Sequence, residues 1–228
     1  MSKLKLRKCH VAEKLPFIPL EREIDILISS ARHRQSCFLR LLKETGMRPI
    51  EAWRLKWTDI DHSQRTVNIR TAKRGNPRKL KVSQQLLNMV GGLKKHNFHL
   101  FSVSGRKERF NTELEHFTNY YTKFRRRLTS KLQNPRLTQI SLYTFRHWKA
   151  TTEYLRTRDI FHVKQLLGHK RIENTMKYIN IANTITTDQA QYICKVAHNA
   201  EEATALVENG FDYVTTTPEG LMLFRKRK

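Results

Sequence analysis

Residues 143–148 read YTFRHW, and residues 166–179 read LLGHKRIENTMKYI. Together they hold Tyr143, Arg146, His147, His169 and Tyr178, and they lack the ligand spacing of a metal site. A phenol hydroxyl becomes a nucleophile once its proton has somewhere to go. An imidazole can move that proton, and a guanidinium can fork onto two phosphate oxygens. The set suits attack on a phosphodiester through a tyrosine.

The surrounding chain has 228 residues, with 44 Lys plus Arg against 20 Asp plus Glu, a net charge of +24. Such an excess repels itself unless a polyanion offsets it, and duplex DNA or RNA is the natural candidate. The basic residues are spread over segments with folding patterns, which favours nucleic acid over an acidic membrane or mere solubility. Cys9, Cys37 and Cys194 are odd in number and far apart, which argues for a reducing compartment and against a disulfide framework or zinc site. No apolar run approaches membrane-spanning length, and the start MSKLKLRKCH lacks the apolar core of a signal peptide. The expectation is a cytoplasmic, DNA-associated protein with no membrane partner.

The elements that must position these groups can be read from periodicity. EREIDILISSA places Ile24, Leu27 and Ile28 on one helical face. SCFLRLLKETG reads as a helix with Ser36 as cap, Phe38, Leu41 and Leu42 inward, and Gly46 as stop. Pro49 suits the first turn of PIEAWRLKW, which would bury Ala52 and Leu55. In RTVNIRTAKRGNPRKLKVS, Val67 and Ile69, then Leu80 and Val82, alternate with polar residues around an RGNP turn, predicting a β-hairpin or small sheet. It carries Arg65, Arg70, Lys73, Arg74, Arg78, Lys79 and Lys81 and no acid, so it is expected to lie against phosphate. Leu114, Phe117, Tyr121, Phe124 and Leu128 mark a long amphipathic helix. SLYTFRHWKATTEYL and DIFHVKQLLG are two more, the latter capped by Asp159 and stopped by Gly168. AEEATALVENG is a helix, and FDYVTTTPEGLMLFRKRK reads as strand, turn, strand and basic tail. Trp53, Trp57 and Trp148 suit core or wall positions. The predicted fold class is mainly α with a small antiparallel β-sheet (α+β).

Four stretches, ETGMRPIEAWRLKWTDID, TAKRGNPRKLKVS, LYTFRHWKATTEYL and LLGHKRIENTMKYI, resemble in that order the catalytic blocks of the tyrosine recombinase (phage integrase) family. The resemblance covers roughly Pro19 to Asn180 and, with the FDYV…FRKRK ending, leans toward archaeal integrases. It implies a basic N-terminal segment over 1–18, the family's catalytic domain over 19–180, and a helix-plus-hairpin extension with a basic tail over 181–228. By position it makes Arg48, in Arg-x-x-Glu with Glu51, the first catalytic arginine. Lys73 becomes the hairpin lysine, Arg146 the second arginine, His169 the histidine of the Leu-Gly-His block, and Tyr178 the nucleophile. Tyr143 stands where most members have the histidine of His-x-x-Arg; its hydroxyl can donate a hydrogen bond but cannot readily become a cation. His147 is expected beside the reacting groups, with Arg70, Arg74, Arg78 and Lys79 on the DNA.

The family's chemistry explains these residue types. Attack builds negative charge on a pentacoordinate phosphorus, which two arginines can neutralise without a metal. A tyrosine with a free pKa of about 10 needs that positive field or a base. His169 can donate to the phosphate or help move the proton, and Lys73 can protonate the departing 5′ oxygen. The 3′-phosphotyrosine link retains the diester's energy, so rejoining needs no ATP, metal or other cofactor. The resemblance implies a site-specific recombinase, the integrase or excisionase of a mobile element, acting on double-stranded DNA at an attachment site. The expected assembly is a homo-tetramer on DNA and a monomer or weak oligomer when free. The alternatives are a DNA-binding protein of the same fold without turnover, and a type IB topoisomerase-like relaxase. Family members usually carry an N-terminal helical domain that closes a clamp on the duplex. Only about twenty residues precede the first helix here, which implies a fragment or a half-clamp with steeply salt-dependent binding. The strands after Tyr178 are expected to extend the small sheet or to dock on a neighbouring subunit.

Overall fold

The spacing of Ile24, Leu27 and Ile28 closes into α1 (Glu21–Ser29), which buries all three. In the computed structural model, which describes residues 15–71, 75–189 and 192–227, α1 packs against α2 (His33–Thr45). That helix begins earlier than expected. Ser36 lies buried inside it, and Arg32 precedes the first turn without a side-chain cap. Gly46 ends α2 in the left-handed conformation, φ 59°. Pro49 opens α3 (Pro49–Trp53), which is shorter than its sequence suggests, and Leu55 is buried just beyond it.

The basic segment forms β1 (Ile60–Asp61), β2 (Thr66–Ile69) and β3 (Arg78–Lys81), antiparallel and in that order across the sheet. Val67 and Ile69 point into the core, and Val67 pairs with Leu80. Lys73 and Arg74 lie outside the described residues. Then come α4 (Gln84–Gly91), capped by Ser83, and α5 (Phe110–Leu132), which buries Tyr121 and Leu128 and leans Leu114, Phe117 and Phe124 on the core. Phe38 of α2 anchors that core, with Phe117, Phe101 and Trp53 at ring distances of 4.7, 5.0 and 5.7 Å. Trp53 and Trp148 are therefore core residues, and Trp57 leans on the core from its edge.

Three helices frame the later sequence blocks: α6 (Leu142–Thr157) carries Tyr143, Arg146 and His147, α7 (Ile160–Leu167) ends just before His169, and α8 (Glu173–Gln189) carries Tyr178. The Ser141 side chain caps α6, and the Asp159 carboxylate accepts from the N–H groups of Phe161 and His162 to cap α7. At the other end of α7, Gly168 N–H donates to the Gln165 carbonyl and His169 N–H to the Lys164 carbonyl. This is the paired closure that needs a left-handed residue, here Gly168 at φ 68°.

The chain divides into two units, Met1–Ile179 and Asn180–Lys228. The second contains β4 (Tyr192–Ala197), α9 (Ala200–Glu208), β5 (Asp212–Thr216) and β6 (Met222–Arg227). Its sheet runs β4-β6-β5, all antiparallel, around Ala197, Leu206, Phe211 and Phe224. The strands expected in FDYV and LMLF are present, but they do not extend the first sheet. They form a second sheet with β4, whose sequence YICKVA had given no strand expectation.

Gly168 is the tightest point of the fold near the site. A Cβ there would come within 2.7 Å of the Asn76 carbonyl oxygen and 2.8 Å of an Arg78 guanidinium nitrogen. The left-handed conformation alone costs a non-glycine residue about 1–2 kcal/mol. Gly168→Ala is expected to lower the melting temperature by roughly 2–8 °C; an unchanged midpoint in thermal denaturation would contradict the role given to this turn.

Candidate active site

Arg146 is 5% exposed and sits where two helices end. One guanidinium nitrogen, Nη1, donates to the Gly46 carbonyl at 2.8 Å, and Nη2 donates to the Leu167 carbonyl at 2.9 Å. Those oxygens belong to the carboxyl ends of α2 and α7, where unpaired carbonyls and the negative helix dipole favour a cation. Nη2 also lies 2.9 Å from Nε2 of His169. A guanidinium can only donate, so His169 Nε2 must accept and its proton must sit on Nδ1. Nδ1 is 2.9 Å from Thr175 Oγ1, which takes that proton's hydrogen bond. The His169 imidazole is thus held neutral and fixed at both nitrogens. Burial, then Arg146 and Arg48, pull its pKa down to about 3.

Arg48 precedes α3 and is tied to Glu51 twice, from its backbone N–H to Oε2 and from Nη1 to Oε1, each at 3.0 Å. The three-residue spacing lets Glu51 cap the helix start while holding the guanidinium. Glu51 also receives Arg78 Nη2 at 2.9 Å. Burial would raise the Glu51 carboxyl, but Arg78 and Arg48 outweigh it and hold it below the usual range. Arg78 was expected on DNA; its side chain is instead 6% exposed, with Nη2 held by Glu51, because β3 pairs back into the sheet. Arg70 and Lys79 do face solvent, beside Asp59 and Asp61 respectively.

A cleft of about 450 Å³ is lined by Arg48, Tyr143, Arg146, His169, Lys177 and Tyr178. Five of these were singled out in the sequence. Tyr143 is 54% exposed at its rim, whereas Tyr178 is 1% exposed. The Tyr178 hydroxyl reaches Nδ1 of His147 at 3.1 Å. Burial pushes the phenol up to about 12, against the pull of Arg146 and Arg48. Burial, then Lys177 and Arg146, hold the His147 imidazole down at about 4. Arg146 is itself drawn down to about 10, by burial and then by Arg48, which leaves it charged at neutral pH. Arg48, Arg78 and Arg146 thus gather around Glu51, and with Lys177 they outnumber the two carboxylates at the cleft, Glu51 and Glu173. An anion that accepts hydrogen bonds is what such a cleft can take. Among the described residues no three His, Cys, Asp or Glu side chains converge to hold a metal ion.

Sequence reasoning missed Thr175 and Lys177. Thr175 lies three residues before Tyr178, on the same side of α8, and that spacing was the available signal. The carbonyls of Gly46 and Leu167 carry no side-chain signature at all.

Both histidines have folded pKa values below the ordinary unfolded value of about 6.5. Between those values the unfolded chain binds more protons than the folded one, so stability falls as pH drops through that window. Urea midpoints measured from pH 7 to 4.5 should decline steadily, and a His147→Asn, His169→Asn double variant should decline less steeply. An equal slope would contradict the two neutral imidazoles.

Comparison with known proteins places this arrangement. Residues 20–184 match the model of the phage integrase family. The tyrosine recombinase XerC of Pediococcus pentosaceus is 26% identical over 187 residues, which cover 75% of this chain and 60% of that one. The solved structure of XerA recombinase aligns with a TM-score of 0.59 at 22% identity, over 78% of this chain and 66% of that one. The Tn1549 transposon integrase, solved in complex with transposon right end DNA, gives 0.59 at 13% identity, over 81% and 68%. The chain spans three-fifths or less of the length of the curated relatives it matches. The family match covers well over half of the sequence, and the chain belongs to the phage integrase family of tyrosine recombinases.

Proposed function

We propose that this protein cleaves and rejoins DNA strands at a defined site, with Tyr178 as the nucleophile, in the service of a mobile element. The observation that carries the reading is the Tyr178 hydroxyl, buried at a cationic cleft between a fixed arginine and a neutral imidazole. Three of the five N–H donors of Arg146 hold Gly46, Leu167 and His169. The Nε–H and the second Nη1–H remain for a nonbridging phosphate oxygen. Arg48 lines the opposite part of the demand, exposed enough to meet the other oxygen.

Attack by the Tyr178 oxygen forms the 3′-phosphotyrosine and expels the 5′ oxygen, for which Lys73 is the proposed proton donor. The guanidiniums offset the negative charge that builds on the phosphoryl oxygens, so cleavage is expected to persist in EDTA. The Tn1549 transposon integrase, solved in complex with transposon right end DNA, supports DNA as the partner, which we take to be double-stranded. Exchange between duplexes calls for four copies on DNA, which we include in the proposal.

A suicide substrate, nicked near the scissile phosphate, traps the covalent intermediate. Tyr178→Phe is expected to abolish the detergent-resistant protein–DNA band with DNA affinity nearly intact. Tyr143→Phe should slow capture and still allow it; the reverse pattern would move the nucleophile to Tyr143. Arg146→Ala and Arg48→Ala should each slow cleavage roughly a hundred- to a thousandfold. Recombinant joints, rather than relaxed plasmid alone, are the expected product; relaxation alone would favour a relaxase.

A further inference from the structure

The nucleophile needs a group to take its proton, and the position that most family members fill with histidine is Tyr143 here. We infer that His147 is a catalytic residue, the base that receives the Tyr178 proton through Nδ1. The inference rests on the reading of Tyr178 as nucleophile.

Geometry sets it apart from the other candidates. His147 Nδ1 lies 3.1 Å from the Tyr178 oxygen. His169 has no lone pair to offer, because Nε2 takes the Arg146 N–H and Nδ1 gives its own proton to Thr175. Tyr143 is exposed at the rim, and a phenol does not become a cation under these conditions. The charged groups facing His147 are Lys177 of α8 and Arg146 of its own helix, and with burial they keep it neutral at pH 7. A neutral imidazole has a lone pair to give. The scissile phosphate adds negative charge beside Arg146, which offsets that depressing field and strengthens the base as substrate binds.

The step balances as follows. As Oη bonds to phosphorus its acidity rises, its proton passes to Nδ1, and His147 becomes an imidazolium. The bond from phosphorus to the 5′ oxygen breaks, and that oxygen takes a proton from a separate donor, Lys73 in the proposal above. In rejoining, the 5′ hydroxyl returns its proton to that same donor as it attacks the phosphotyrosine, and the imidazolium returns its proton to Tyr178.

The test is single-turnover cleavage of the nicked suicide substrate, made with either an ordinary 5′ oxygen or a 5′-bridging sulfur. Sulfur leaves without a proton, so it rescues loss of the acid but not loss of the base. His147→Asn keeps a polar atom near Nδ1 yet cannot take a proton. We expect it to cut at least roughly a hundredfold slower on both substrates, with DNA affinity and melting temperature close to wild type. For the wild type on the sulfur substrate, the rate should fall about tenfold per pH unit below the pKa of the base, since only neutral imidazole accepts. That acid limb should be absent from the variant. His147→Gln provides the same reading if Asn impairs folding. A variant within about fivefold of wild type, a rate restored by sulfur, or a persisting acid limb would overturn the inference and leave Tyr178 standing. Capture that survives Tyr178→Phe would overturn the nucleophile, and this inference with it.

Discussion

A guanidinium buried at the carboxyl ends of two helices is the constraint on which the rest of the site depends. Arg146 takes the terminal carbonyls of α2 and α7 and so ties both helix ends to α6. It orients His169 by occupying Nε2, and His169 in turn engages Thr175 at the start of α8. The same helix carries Tyr178. One cation therefore links the end of α2, the end of α7 and the helix of Tyr178. Removing it leaves buried carbonyls without that donor, and an orphaned buried polar group costs about 1–3 kcal/mol.

The balance of charge around it explains both rigidity and readiness. Glu51 is buried and satisfies Arg48 and Arg78 together, so the first arginine is aimed before any substrate arrives. Breaking such a buried pair typically costs about 3–5 kcal/mol. Yet Glu51 and Glu173 face three guanidiniums and the Lys177 ammonium, and the two imidazoles stay neutral rather than add charge. The unmet positive field is what a phosphodiester in attack would complete, with no reorganisation of the protein at that moment.

Much of this was legible in the sequence where the signal is local. The face made by Ile24, Leu27 and Ile28, the Asp159 and Gly168 ends of α7, and the Arg48-x-x-Glu51 pair all act within one or two helical turns. What escaped depends on distant partners. Ser36 resembles a helix cap but is buried within α2, which starts three residues earlier at His33. Arg78 sits in a run of basic residues and looks like a phosphate contact until β3 pairs with β2 and turns it toward Glu51. Strand β4 is defined by pairing with β6, some thirty residues on, and no local pattern announces that pairing. His147 is expected from the sequence only beside the reacting groups, since its contact with the Tyr178 hydroxyl arises when α6 and α8 come together.

The account turns on which oxygen bonds to phosphorus. Trapped complex can be digested with protease and nuclease and the peptide bearing the residual nucleotide identified by fragmentation mass spectrometry. The mass increment should fall on Tyr178, in the peptide from α8. A nucleotide carried by Tyr143, or by any other residue, would contradict it.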